Sequence, residues 1–201
     1  MQPISIHITN LSNLSMMVAE DISALNNVIV LTSEMPETDE KNTLSRMIFA
    51  NGVSILETYL FEVLNYVVFA NTTVIERLIS APPLKERKLD FKEVYKNPNI
   101  VEDQVRRYLS ETLYHKLDTV RKLYQVAVGV DIFPDEALKQ QLQEQIKIRH
   151  DLVHRNGRNK AQHSLAHSMN LVRNVQKVTA RVHAGVKAEM IRLDTAQEKA
   201  S

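Results

Sequence analysis

EKNTLSRMIFANGVSILETYLFEVLNYVVFA, residues 40–70, decides the fold. Leu44, Met47, Ile48, Ile55, Leu56, Tyr59, Leu60, Val63, Leu64 and Val67 recur in steps of three and four. That is the period of an α-helix and not the alternation of a strand. The apolar stripe is wide, so the segment reads as the central helix of a bundle, with Met47 among its inward residues. Thr38 or Asp39, after the break Ser33-Glu34-Met35-Pro36-Glu37, supplies an oxygen for the free amides of its first turn.

Outward from this stretch the same period returns. The first ten residues read as irregular, and a helix is predicted from about Asn13 to Leu31. Thr72 to Ile79 reads as a short helix, stopped by Pro82-Pro83, since proline removes an amide and restrains its predecessor. Lys85 to Pro98 reads as a charged, turn-rich loop with room for a short helix. One long helix is predicted from about Val101 to Val128, with Val105, Leu109, Leu113, Leu117, Val120, Leu123 and Tyr124 inward and Gly129 as its stop. Pro134 opens another, with Asp135 and Glu136 set against its positive end, running to Asn156-Gly157. The last runs from about Ser164 to Asp194 on the seam Val172, Val175, Val178, Val182, Val186, Met190 and Leu193. The expectation is an all-α, antiparallel bundle of about five main helices in one domain, 1–201, with its core over 13–194.

Composition bounds what such a chain does. At 44% hydrophobic and 24% charged residues it is globular, and 4 Gly and 6 Pro suit long helices better than many turns. The absence of cysteine rules out disulfides, thiolate metal sites and a cysteine nucleophile. The start Met1-Gln2-Pro3-Ile4-Ser5-Ile6-His7 lacks the basic and apolar regions of a signal peptide. The most apolar run, about Leu60 to Ala70, is short for a bilayer. Together these predict a cytoplasmic chain with no membrane span. The net charge of +1 hides an asymmetry: from Lys147 to Arg192 ten Lys or Arg stand against Asp151 and Glu189. A basic third on a neutral chain suits an anionic ligand such as RNA, through Arg155, Arg158, Lys160 and Arg173; it also suits a solvated face.

Chemistry concentrates in Ile146-Lys147-Ile148-Arg149-His150-Asp151-Leu152-Val153-His154-Arg155-Asn156-Gly157. Three readings compete. In a ribonuclease, histidine moves protons near neutrality and arginine grips phosphate with a planar fork, roles open to His154 and Arg149. Residues five apart on a helix stand about 140° apart around the axis and about 7.5 Å along it, so either the long Arg side chain bridges part of the gap or a two-fold dimer brings two copies of the segment into one cleft. In a metal site, His150 with His154, and His163 with His167, share a face at the i,i+4 spacing, without a clear carboxylate partner. In a structural reading, Arg149 and Arg155 offset the negative helix end, Asp151 pairs with Arg155, and the histidines are ordinary polar groups.

Arg149-His150-Asp151-Leu152-Val153-His154 resembles the signature of the HEPN superfamily: an Arg, a polar residue, three or more positions, then His. Arg155-Asn156-Gly157 is similar to the end of that helix in many bacterial members. Gly52-Val53-Ser54-Ile55-Leu56-Glu57-Thr58-Tyr59-Leu60 is similar to the second-helix region of toxin-like members. The resemblance spans about Asn13 to Asp194. It implies a HEPN-like bundle and a metal-independent, cofactor-free endoribonuclease acting as a homodimer, with RNA as substrate and an antitoxin or defence-system protein as a further partner. His154 would be general acid or base, Arg149 would hold the scissile phosphate, and His150 would orient the site. Asp151, Asn156 and Glu57 would support it, and the product would be a 2′,3′-cyclic phosphate. The alternative it implies is a non-catalytic HEPN module that binds a partner protein or nucleotide.

Overall fold

A computed structural model describes residues 4–154 and 165–200 of the chain. Among them are eight α-helices: α1 Ile4–Ser33, α2 Asp39–Ala70, α3 Thr72–Ile79, α4 Phe91–Lys96, α5 Ile100–Glu111, α6 Leu117–Val128, α7 Glu136–His154 and α8 Leu165–Ala200. A 3₁₀ turn, Leu84–Glu86, follows α3 and a cis Pro82-Pro83 bond. No strand forms among the described residues.

Local chemistry sets the ends. Thr38 Oγ1 accepts from the Lys41 amide at 3.3 Å, with Asp39 and Glu40 in the first turn of α2. The Lys41 ammonium is buried and donates to the Ser33 and Met35 carbonyls and to Glu37, which closes the α1–α2 turn. Gly129, at φ 65°, ends α6 in the left-handed conformation that glycine adopts without penalty.

The three longest helices pack on one another. α1 buries Leu11, Val18, Ile22, Leu25 and Ile29, again largely at steps of three and four. His7 and Asn10 of α1 bond the Tyr66 hydroxyl near the end of α2, whereas Leu25 lies by Gly52 earlier in α2, so the two helices are antiparallel. α8 runs parallel to α2: Leu171 lies by Gly52, and the Tyr59 hydroxyl donates to the Thr179 carbonyl at 3.1 Å. A Cβ at residue 52 would stand 2.9 Å from Leu171 Cδ2, so the missing side chain lets α2 and α8 close. α7 fills the side between α2 and α8.

The sequence expectation differs in several places. The chain is helical from Ile4, because Tyr66 satisfies the buried His7 from a distant part of the chain. The helix expected over 101–128 is two, α5 and α6, and these, with the short α3 and α4, bring the helices among the described residues to eight against about five main ones expected. α5 runs back along α2, with Arg106 over the Phe69 ring and Tyr114 edge-on to Phe61 at 5.4 Å. α6 then turns toward α3, with Arg77 bonded to the Ala127 carbonyl. A straight helix could not make both sets of contacts, so the chain breaks at Thr112–Lys116. That break buries Tyr114 and leaves Leu113 exposed, although Leu113 was expected inward. Met47 is likewise outward, at 64% exposure.

α1 and α2 each contain an 18-residue window of mean hydropathy 1.4, long and apolar enough by composition to cross a membrane. The apolar run at 60–70 understates this length. Half of the α2 window is buried, as in the core helix of a bundle, but only 22% of the α1 window is. α1 therefore shows solvent an apolar outer face that includes Met16, Met17, Val30 and Leu31.

Candidate functional site

The last turns of α7 carry the segment singled out by sequence. Asp135 caps the helix by accepting from the Leu138 amide at 2.7 Å. Lys139 bridges Asp118 and Glu136, both at 2.7 Å, and holds both carboxyls below their ordinary range. Arg121 grips Asp131 through two bonds, at 2.9 and 2.6 Å. Burial alone would raise the Asp131 carboxyl, but Arg121 and the Phe133 amide outweigh it and hold it low. These pairs fix the start of α7 against α6.

Leu138, Leu142, Gln145, Arg149 and Leu152 follow one another at steps of four and three, so they form one row on the helix. Leu138, Leu142 and Gln145 are buried, and Arg149 and Leu152 are half-buried. Gln145 is satisfied across the interface: the Asn174 amide of α8 donates to Gln145 Oε1 and to Gln141 Oε1, each at 3.2 Å. One turn beyond Gln145, the Arg149 Nε is buried with no hydrogen-bond partner among the described residues. Buried polar groups are nearly always paired, so an open guanidinium donor at a helix end is unusual.

His150, the next residue, is exposed, and Asp151 is half-buried. α7 ends at His154, which is described by its backbone alone. Arg155, Asn156, Arg158, Lys160 and His163 lie outside the described residues. Arg173 is exposed on α8, beside the buried Asn174. Glu57 has another neighbour than the one expected of it: its Oε1 lies 3.6 Å from Nδ1 of His115, in the turn between α5 and α6. That oxygen and the Tyr114 hydroxyl are both buried and without a hydrogen-bond partner among the described residues. Burial pushes the Tyr114 hydroxyl above its ordinary pKa, with a smaller push from Tyr108. No local sequence signal joins Glu57 to His115, because only the α5–α6 break brings them together. Among the described residues no group of three or more His, Asp or Glu gathers to hold a metal.

What the arrangement offers chemically is a half-buried cation with one donor unpaired among the described residues, an exposed imidazole beside it, and a second imidazole residue one turn on. Positive charge here also faces the negative end of the α7 dipole, which favours it. Comparison with known proteins adds no assignment: no family model, no curated protein and no solved structure matches the chain.

Proposed function

We propose that this chain is a metal-independent endoribonuclease of the HEPN type, acting as a homodimer in a toxin or defence role. The observation that carries the reading is the Nε–H of Arg149, buried without a partner among the described residues, beside exposed His150 where α7 ends at His154. The Nε itself is closed to solvent, so a phosphodiester oxygen is held by the rest of the half-buried guanidinium, which offsets the charge that grows on phosphorus. His154 acts as general base or acid. One imidazole takes the proton from the ribose 2′-hydroxyl, the 2′-oxygen attacks phosphorus, and a protonated imidazole supplies the proton to the leaving 5′-oxygen. The products are a 2′,3′-cyclic phosphate and a 5′-hydroxyl. His150 orients the site. Arg155, Arg158, Lys160 and Arg173 extend the phosphate contacts, with Asp151 and Asn156 in support. Glu57 acts only through the α5–α6 turn that its neighbour His115 occupies.

The test is cleavage of an RNA pool by the purified protein. Arg149→Ala should lower the rate about 10²–10³-fold, as for loss of a transition-state donor. His154→Ala should lower it about 10²–10⁴-fold. Unaltered cleavage by both variants would reject the site.

The second reading, a non-catalytic helical module that binds a partner protein, is favoured by the apolar outer face of α1. It predicts no cleavage by the wild-type chain, and loss of partner binding when Met16, Met17 and Leu31 are made polar.

A further inference from the structure

An open seam runs between the antiparallel α1 and α2. Its α1 wall is Asp21, Ala24 and Val28; Leu31 continues the row at a step of three, and Met35 follows in the turn. Its α2 wall is Glu40, Leu44, Met47, Asn51, Ser54 and Thr58, at steps of four and three. Two hollows open along it, about 410 Å³ at the Met35–Met47 end and about 320 Å³ at the Asp21–Thr58 end. From Asp21 to Met35 the seam is about 20 Å long. Packing within the bundle leaves its apolar side chains in water: Leu31 is 65% and Met47 64% exposed, and Val28, Met35 and Leu44 are exposed in part.

The charge around the seam has one sign. Between Glu20 and Thr58 seven acids stand against two bases, Lys41 and Arg46, a balance of −5 on a chain of +1. Lys41 is buried with its ammonium on the Ser33 and Met35 carbonyls, and neither base lines a hollow. Asp21, Asp39 and Glu40 do line them, and none of these three makes an ion pair among the described residues. The Glu40 carboxyl is held below its ordinary range by its own backbone amide and by Thr38, so it is charged at neutral pH.

We infer that the α1–α2 seam is a docking groove for a basic amphipathic helix of a partner protein. Such a helix sets apolar residues, three and four apart, between the two walls over Val28, Leu31 and Met47. The flexible thioethers of Met35 and Met47 adapt to apolar side chains of differing shape. Lys and Arg on the flanks of the helix meet Asp21, Asp39 and Glu40. A second copy offering the same seam would set −5 against −5, and an anionic membrane surface would meet the same repulsion. The groove shares no residue with the Arg149–His154 site, so the inference holds whichever reading of that site is right.

The probe is a labelled peptide of leucine and lysine with leucines at helical spacing, about 14 residues long to span the seam. A control peptide carries glutamate in place of lysine. Titration with the wild-type chain, read by fluorescence anisotropy, should give saturable binding of the lysine peptide that weakens as salt rises, and none of the control. Leu31→Gln with Met47→Gln should weaken binding about tenfold or more. Asn51 is exposed midway along the seam, so Asn51→Arg adds a long cation there without removing an apolar group and should weaken binding as strongly. Asp39→Asn with Glu40→Gln should weaken binding and flatten its salt dependence. All five side chains lie at the surface, and thermal melts identify any variant that has lost its fold. Failure of the lysine peptide to bind overturns the inference, as does binding that survives Asn51→Arg. So does an equal loss from Glu93→Gln with Glu102→Gln, exposed acids outside the seam, which would mark general charge attraction. A wild-type dimer that Leu31→Gln with Met47→Gln splits into monomers would make a second copy the occupant and also overturn it. Peptide binding by a chain that leaves RNA intact upholds the groove and rejects the nuclease reading; cleavage without peptide binding does the reverse.

Discussion

Asn174 of α8, 1% exposed, joins α7 to the rest of the bundle through Gln141 and Gln145. Asn174→Leu keeps the branched shape and removes the donor. Gln141 is exposed, so its oxygen turns to water at little cost. Gln145 is buried and has no such option. An orphaned buried amide costs about 1–3 kcal/mol, so the single variant should lose about 2 kcal/mol. At about 2–4 °C per kcal/mol for a chain of this size, the melting point should fall by about 4–8 °C. Replacing both partners with apolar groups removes the orphan. Asn174→Leu with Gln145→Leu should therefore return to within about 1 kcal/mol of wild type, well short of the sum of the single changes. Urea unfolding followed by far-ultraviolet circular dichroism gives the midpoints, and an unchanged denaturant slope identifies the effect as one of native stability. A neutral Asn174→Leu, or a double variant equal to the sum of its singles, would refute the reasoning.

Further outcomes follow from other contacts. Gly185→Ala places a Cβ 2.8 Å and 3.1 Å from the two methyls of Val130. Rotating a β-branched side chain does not clear both, so overpacking of about 1–3 kcal/mol should outweigh the helix-propensity gain of about 1 kcal/mol; Val130→Ala should restore the urea midpoint. Thr38→Ala should cost about 1 kcal/mol by uncapping α2, and Thr38→Ser should cost less, both read from thermal melts. His183 is held below its ordinary pKa by burial and by Lys187, against an opposing bond to the Leu11 backbone. The unfolded chain then takes the proton at a higher pH than the folded one. Its contribution is complete above about pH 6.5 and is lost as pH falls toward the lower folded value. Melting points across that window should slope upward with pH, and His183→Asn should flatten the slope.

The helical class was legible because Leu56, Tyr59, Leu60, Val63 and Leu64 repeat at the helical period and bury as a unit. Caps were legible where a side chain or a glycine acts on its own turn, as at Thr38 and Gly129. Long-range contacts were not. Nothing near His7 announces that Tyr66 will satisfy it, so α1 begins earlier than its local pattern suggests. The spacing of Val105, Leu109, Leu117 and Val120 fits one helix as well as two, and the Phe61 ring that receives Tyr114 decides between them. At the site, the residue types Arg149, His150 and His154 could be read from the chain. Burial of the Arg149 Nε could not, since it depends on what α2 and α8 bring to the inner row of α7. The pairing of Glu57 with His115 was hidden for the same reason.

Analysis of the ends formed when purified wild-type protein is incubated with RNA in excess chelator is the most direct measurement of the proposed chemistry. The expected result is new fragments with 2′,3′-cyclic phosphate and 5′-hydroxyl termini, absent with Arg149→Ala and with His154→Ala. Intact RNA, or 5′-phosphate ends that vanish in chelator, would contradict it.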